Sequence, residues 1–128
     1  LSTAALIILD MQRYFLDEIY HAFIPAAQPV VPSIRQLSRL FFSRNRPVYL
    51  TQHHNTGTEE EGLMAFWWKE LINRNSPAYR LTPAVADIKG EVIEKSYYDA
   101  FRNTVLEETL RKTGTLTSVL RQPHGQLL

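Results

Sequence analysis

Residues 4–16 read AALIILDMQRYFL, and the fold turns on how that stretch is read. From Ala5 to Leu9 the residues are apolar without a polar break, and Ile7 and Ile8 are β-branched. Such a run predicts a strand covered on both faces, as in a parallel sheet, rather than one wetted at alternate positions. The run closes on Asp10. A carboxylate there stands at the carboxyl end of the strand, the edge of an open α/β sheet where ligands bind. An Asp after an apolar strand also serves as a turn or helix-cap residue, so Asp10 alone does not define a site. Met11 to Phe15 reads as an amphipathic loop leading away from it.

Downstream, Pro25, Pro29 and Pro32 make residues 21–32 a loop that delivers the chain to a helix start. From about Pro32, the recurrence of Ile34, Leu37, Leu40 and Phe41 predicts a crossover helix, with Arg35, Gln36, Ser38 and Arg39 turned away from the sheet. Asn45-Arg46-Pro47 stops it, and Val48 to Thr51 follows as a second strand. Strand, helix, strand is the βαβ unit, with its right-handed crossover. Residues 52–62 (QHHNTGTEEEG) are polar and turn-rich and leave the second strand at the same edge as Asp10, which marks a candidate active-site loop. Residues 63–72 predict a short helix with an aromatic face, one tryptophan in the core and the other a substrate wall. Little regular structure is expected over residues 73–90.

Glu91 to Glu94 predicts a third strand, closed by Lys95 as the first is closed by Asp10. Tyr97, Tyr98 and Phe101 follow immediately. Thr104 with Glu107 has capping-box spacing, Leu106 and Leu110 supply an apolar face, and Gly114 sits where a C′ glycine belongs, so a helix is expected between them. Thr115 to Leu120 opens a fourth strand, after which residues 121–126 continue neither pattern.

The chain of 128 residues supports a single α/β domain, 1–128. Lys and Arg number 14 against 13 Asp and Glu, without a basic cluster, so nucleic acid is not expected as the ligand. No apolar run approaches the roughly 20 residues that span a bilayer, and the start lacks a signal-peptide pattern, so a cytoplasmic protein without a membrane partner is expected. There is no cysteine, which removes disulfides and thiolate metal sites from these residues.

Chemistry is expected where two strand ends bring the Asp10 carboxylate and the Lys95 ammonium to one crevice, each favouring the other's charge. A structural ion pair at the sheet edge is the simpler alternative. A serine hydrolase elbow, G-x-S-x-G, does not occur, nor does either glycine-rich phosphate loop. A metal would have to use His53, His54, Asp10 or His21, but neighbouring His53 and His54 point to opposite sides of an extended chain, so no metal and no cofactor is expected.

In this order and spacing, ALIILDMQRYF, PVYLTQHH and EVIEKSYYDAFRNTVLEETLRKTG resemble the isochorismatase-like superfamily of cysteine hydrolases, from about Ala4 to Thr115. The resemblance implies a Rossmann-like three-layer α/β/α fold with a parallel sheet. It also implies hydrolysis of a small amide, urea-like or vinyl-ether substrate, and a homodimer or higher homo-oligomer. It maps the family's catalytic Asp onto Asp10 and its Lys onto Lys95, with Asp10 as proton carrier and Lys95 as its partner. Gln12, Phe15, His53, Trp67, Tyr98 and Phe101 become the expected substrate contacts. The family's nucleophilic Cys follows the fourth strand with its oxyanion hole, where this chain has Ser118-Val119-Leu120-Arg121. The expectation is thus a domain with its C-terminal strands missing, truncated or altered after about Thr115. A vinyl ether needs an acid but no thiol, so Asp10 with Lys95 suffices for it in principle. Nicotinamidases carry a metal-binding Asp-x-His pair after the second strand. His53 and Asn55 stand at those positions here, which disfavours a zinc nicotinamidase. The alternative is an inactive family member with a binding or oligomerisation role.

Overall fold

A computed structural model describes residues 3–20, 23–54, 75–95, 104–115, 117–121 and 123. Four strands, β1 (Ala4–Ile8), β2 (Val48–His53), β3 (Glu91–Lys95) and β4 (Thr117–Arg121), form one sheet in the order β3-β2-β1-β4. Every pairing is parallel: Leu6 stands against Val48, Tyr49 against Glu91, and Ala4 against Thr117.

β1 lies inside the sheet and is buried at every residue, which is why its sequence shows no polar alternation. Its side chains divide between two cores. Ala4, Leu6 and Ile8 pack on one face with Ile34 and Phe41 of α2 (Val31–Ser43), and with Tyr14, Phe15 and Leu16. Ala5, Ile7 and Leu9 pack on the other with Tyr49, Ile93 and two leucines, Leu106 and Leu110. Helices therefore cover both faces, which makes three layers.

The chain leaves β1 through a short helix, α1 (Arg13–Leu16), where the sequence suggests a loop. Tyr14, Phe15 and Leu16 are all buried, and packing stabilises a turn of helix that propensity would not. Pro25–Val30 forms a 3-10 helix that runs straight into α2, with Pro25 in its first turn, where a missing N–H costs nothing, and Pro29 inside it.

The face of α2 differs from the expected one. Ser38 is buried, whereas Leu40 and Phe42 are exposed. Val31, Ile34, Ser38 and Phe41 follow the 3.6-residue period closely, and the stripe passes through Ser38 because its hydroxyl donates 2.8 Å back to the Arg35 carbonyl. Lys89 covers the exposed Phe42, its ammonium 4.8 Å from the ring centre.

Residues 75–90 are more regular than expected: a 3-10 turn at Pro77–Tyr79 and a short helix, α3 (Pro83–Ala86). Arg35 on α2 anchors this segment, donating to the Ala84 carbonyl at 2.8 Å and gripping the Asp87 carboxylate at 2.6 and 3.0 Å. Gly90 then passes so close to β2 that a Cβ there would meet the Val48 carbonyl oxygen at 2.7 Å.

The last described helix, α4 (Leu106–Lys112), starts slightly later than the capping box suggests. The Thr104 hydroxyl accepts from Leu106 N at 3.3 Å, so it still satisfies a first-turn donor. At the other end Gly114 adopts φ +67°, its N–H donating to Arg111 and that of Thr115 to Leu110, the paired closure of a Schellman motif. β4 runs to Arg121, one residue beyond the expected strand. Among the described residues no helix is long and apolar enough to cross a membrane.

Candidate active site

Asp10 follows β1 directly and adopts φ +55°, a left-handed turn that Asp tolerates better than most side chains. Its N–H faces β2, 3.3 Å from the Thr51 carbonyl and 3.1 Å from the Thr51 hydroxyl oxygen. That same hydroxyl donates to Asp10 Oδ1 at 2.8 Å. The turn thus folds the carboxylate back over the end of β2.

Lys95 ends β3, with β2 between it and β1. His53 and Lys95 are ladder partners, so both side chains leave the sheet on one face, together with Tyr49, Thr51 and Ile93 two and four residues earlier along their strands. Adjacent strands lie about 4.8 Å apart, so a side chain reaching from β3 to β1 must cross roughly 10 Å. The lysine stem makes that crossing over β2, and Nζ comes to rest 2.9 Å from Asp10 Oδ2. Each carboxylate oxygen therefore has its own donor, Thr51 on Oδ1 and Lys95 on Oδ2.

Exposure within the pair is unequal: the Lys95 side chain is 3% exposed and that of Asp10 20%. The ammonium is sealed in while the carboxylate keeps an open side. The arrangement is a carboxylate with one open side paired with an ammonium held away from solvent.

Gln12 and His53 sit beside the pair. Gln12 is fully buried and its amide engages only backbone: Oε1 accepts from His53 N at 2.8 Å, and Nε2 donates to the carbonyls of His53 at 2.9 Å and Tyr79 at 2.8 Å. It ties the exit of β2 to α1 and to the 3-10 turn at Pro77–Tyr79. Tyr79 in turn donates to Glu94 Oε1 at 2.7 Å, so residues 76–81 brace the ends of both β2 and β3. His53 is buried, with its ring on the Lys95 face. Phe15 is not brought to the pair. It packs in the core cluster on the α2 side, edge-to-face with Tyr14 at 5.3 Å. Trp67, Tyr98 and Phe101 lie outside the described residues.

Two participants escape a reading of the sequence alone. Thr51 looks like the polar tail of an apolar strand, and its one signal is that a hydroxyl ends the run VYLT as Asp10 ends the first apolar run. Tyr79 sits in a segment with no periodic pattern. On the neighbouring helix the Arg13 guanidinium is held above its ordinary range, first by a hydrogen bond to Asp17 and then by that residue's charge. Among the described residues no group of three or more His, Cys, Asp or Glu is placed to hold a metal ion.

The chain is similar to Nicotinamidase 3 of Arabidopsis thaliana, with 24% identity over 115 residues that cover 87% of this chain and 54% of the relative. It is also similar to the isochorismatase of Bacillus subtilis, with 31% identity over 116 residues covering 87% of this chain and 36% of the relative. The chain thus spans about half, or less, of the length of these curated relatives. A cysteine hydrolase from Pseudomonas syringae pv. phaseolicola superposes with a TM-score of 0.83 at 21% identity, covering 94% of this chain and 59% of that one. That structure shares the fold just described. The Isochorismatase domain profile matches residues 4–120, a span that takes in β1 to β3, all but the last residue of β4 and both ends of the Asp10–Lys95 pair. By that match the chain belongs to the isochorismatase family.

Proposed function

We propose that Asp10 and Lys95 carry out the proton transfers of a hydrolysis, acting on a small amide, urea-like or vinyl-ether substrate at the carboxyl edge of the sheet. The observation that carries this reading is the 2.9 Å contact between a sealed ammonium and a partly open carboxylate at that edge. Family membership supports it, as do relatives named nicotinamidase and isochorismatase.

Hydrolysis of an amide requires a proton to leave the attacking group and another to reach the departing nitrogen. Asp10 Oδ2 takes the first and delivers it as the second, so the carboxylate is regenerated. Lys95 compensates the negative charge that the attack creates nearby. A vinyl ether asks for less: Asp10, protonated from solvent, gives its proton to the terminal carbon, water captures the oxocarbenium ion and returns a proton to Asp10, and the resulting hemiketal loses the alcohol. These 128 residues include no cysteine, and the proton steps are the ones their side chains can perform. His53, beside Lys95, borders the substrate. Gln12 acts there through the backbone it holds, and Trp67, Tyr98 and Phe101 are assigned as aromatic substrate contacts.

Asp10→Asn tests the proposal, because the amide keeps the shape and one acceptor oxygen but cannot carry the proton. Turnover of a pyruvyl enol ether and of nicotinamide is compared between the wild-type chain and the variant, with melting curves to establish that both fold. Loss of activity by about 100-fold or more supports the role. Undiminished turnover in folded Asp10→Asn overturns it.

A second reading, a non-catalytic member that self-associates, draws on the position of β4. It is an outer strand of the described sheet, and its far backbone edge can accept another strand. Sedimentation of a chain inactive on both substrates would favour that reading if it forms dimers.

A further inference from the structure

We infer that Thr51 is a positioning residue that decides which oxygen of Asp10 carries the proton, and that the oxygen is Oδ2. The inference rests on Asp10 being the proton carrier.

The reasoning starts from the direction of two hydrogen bonds. Asp10 N–H points at Thr51 Oγ1 from 3.1 Å, and an amide nitrogen can only donate. A lone pair of the hydroxyl is thereby occupied, and its single hydrogen is turned toward Asp10 Oδ1, 2.8 Å away. Turning the hydrogen away from Oδ1 would leave a buried O–H without an acceptor among the described residues. Thr51 is fully buried within β2, so no solvent is at hand to rescue the reversed arrangement.

Oδ1 is consequently held as an acceptor throughout. A proton taken up by Asp10 lands on Oδ2, the oxygen that already faces Lys95 Nζ at 2.9 Å. There it brings two donors face to face, a repulsive arrangement that drives the proton onward to the leaving group. Nothing is consumed: the proton arrives from the attacking O–H, resides briefly on Oδ2, departs on the substrate, and the carboxylate returns to its two donors. Thr51 touches no reacting atom and acts only through Asp10.

The test compares wild type, Thr51→Val and Thr51→Ser. Valine keeps the shape of threonine but removes the hydroxyl, and serine keeps the hydroxyl without the methyl. The 13Cγ resonance of Asp10 is recorded in each at neutral pH, together with the pH dependence of turnover. Loss of the donor to Oδ1 displaces the resonance from its wild-type position in Thr51→Val and changes the acid limb of the rate profile. Thr51→Ser restores both. Should the valine chain not fold, Thr51→Ala measured against Thr51→Ser poses the same question. The inference is overturned if removing the hydroxyl leaves the resonance and the rate profile in place, or if serine behaves as valine does. A resonance that moves in a chain without turnover retires the hydrolase reading and leaves the hydrogen-bond assignment standing.

Discussion

Gln12 meets His53 as a neighbouring strand would: its side-chain amide accepts from the His53 N–H at 2.8 Å and donates to the His53 carbonyl at 2.9 Å. Both backbone groups are buried, and each would otherwise stand at the end of β2 with a valence to satisfy. Gln12→Ala removes both partners at once. A loss of about 3 kcal/mol is expected, read from the shift of the urea midpoint at constant slope. A loss under about 1 kcal/mol would mean that the end of β2 does not depend on this pair.

The exchange of Ser38 for Leu40 on the buried face of α2 makes a prediction opposite to the one hydrophobicity alone suggests. Leu40→Lys changes stability by less than about 1 kcal/mol, since Leu40 already borders solvent. Ser38→Lys buries an ammonium without a partner against β1 and costs more than about 3 kcal/mol. Thermal melts of the two single variants decide, and equal effects would refute the assignment of faces.

Legibility followed how local each cause was. The apolar run into Asp10, the strand closing on Lys95 and the glycine after α4 are written in neighbouring residues. The structure places the first two 2.9 Å apart and gives the third φ +67°. Ser38 was not legible, because a hydroxyl that satisfies itself on Arg35 O behaves as a small core residue, and composition reads it as polar. Thr51 and Gln12 were legible only as residue types. Their roles depend on the stagger of β2 against β1, with Ile8 opposite Leu50, which brings Thr51 within reach of Asp10, one residue past its own level. Stagger is a property of two strands and cannot be read from either.

Asp87 provides a pH handle away from the candidate site. The hydrogen bond from Arg35, more than its charge, holds the Asp87 carboxyl below its ordinary range, and Arg35 is correspondingly raised. Because the folded value is depressed, the pair stabilises above the unfolded carboxyl pKa of about 3.9 and loses that contribution as pH falls through the folded value. Asp87→Asn should melt slightly below wild type at neutral pH, and the two curves should converge in acid. The pair is open to solvent, so added salt should narrow the gap at pH 7. A gap that widens in acid would contradict the assignment.

Two glycines separate steric from conformational cost. A Cβ on Gly90 collides with backbone at 2.7 Å and with Leu50 Cδ1 at 2.8 Å, so Gly90→Ala forces β2 and β3 apart and costs about 2–3 kcal/mol. At Gly114 nothing lies within 4 Å, and alanine bears only the left-handed backbone, about 1 kcal/mol. Denaturation of both variants should preserve that order, and a larger loss at Gly114 would show a neighbour there.

The order of strands has a consequence in time. β1 pairs on one side with β2 and on the other with β4, the first described strand with the last described one. A ribosome adding about 5–20 residues per second leaves β1 half-paired for several seconds before Thr117 to Arg121 emerge. During that interval the most apolar segment of the sheet offers a bare ladder edge to any other nascent strand. Yield during synthesis should therefore depend on chaperones and on temperature more steeply than the stability of the finished sheet would suggest.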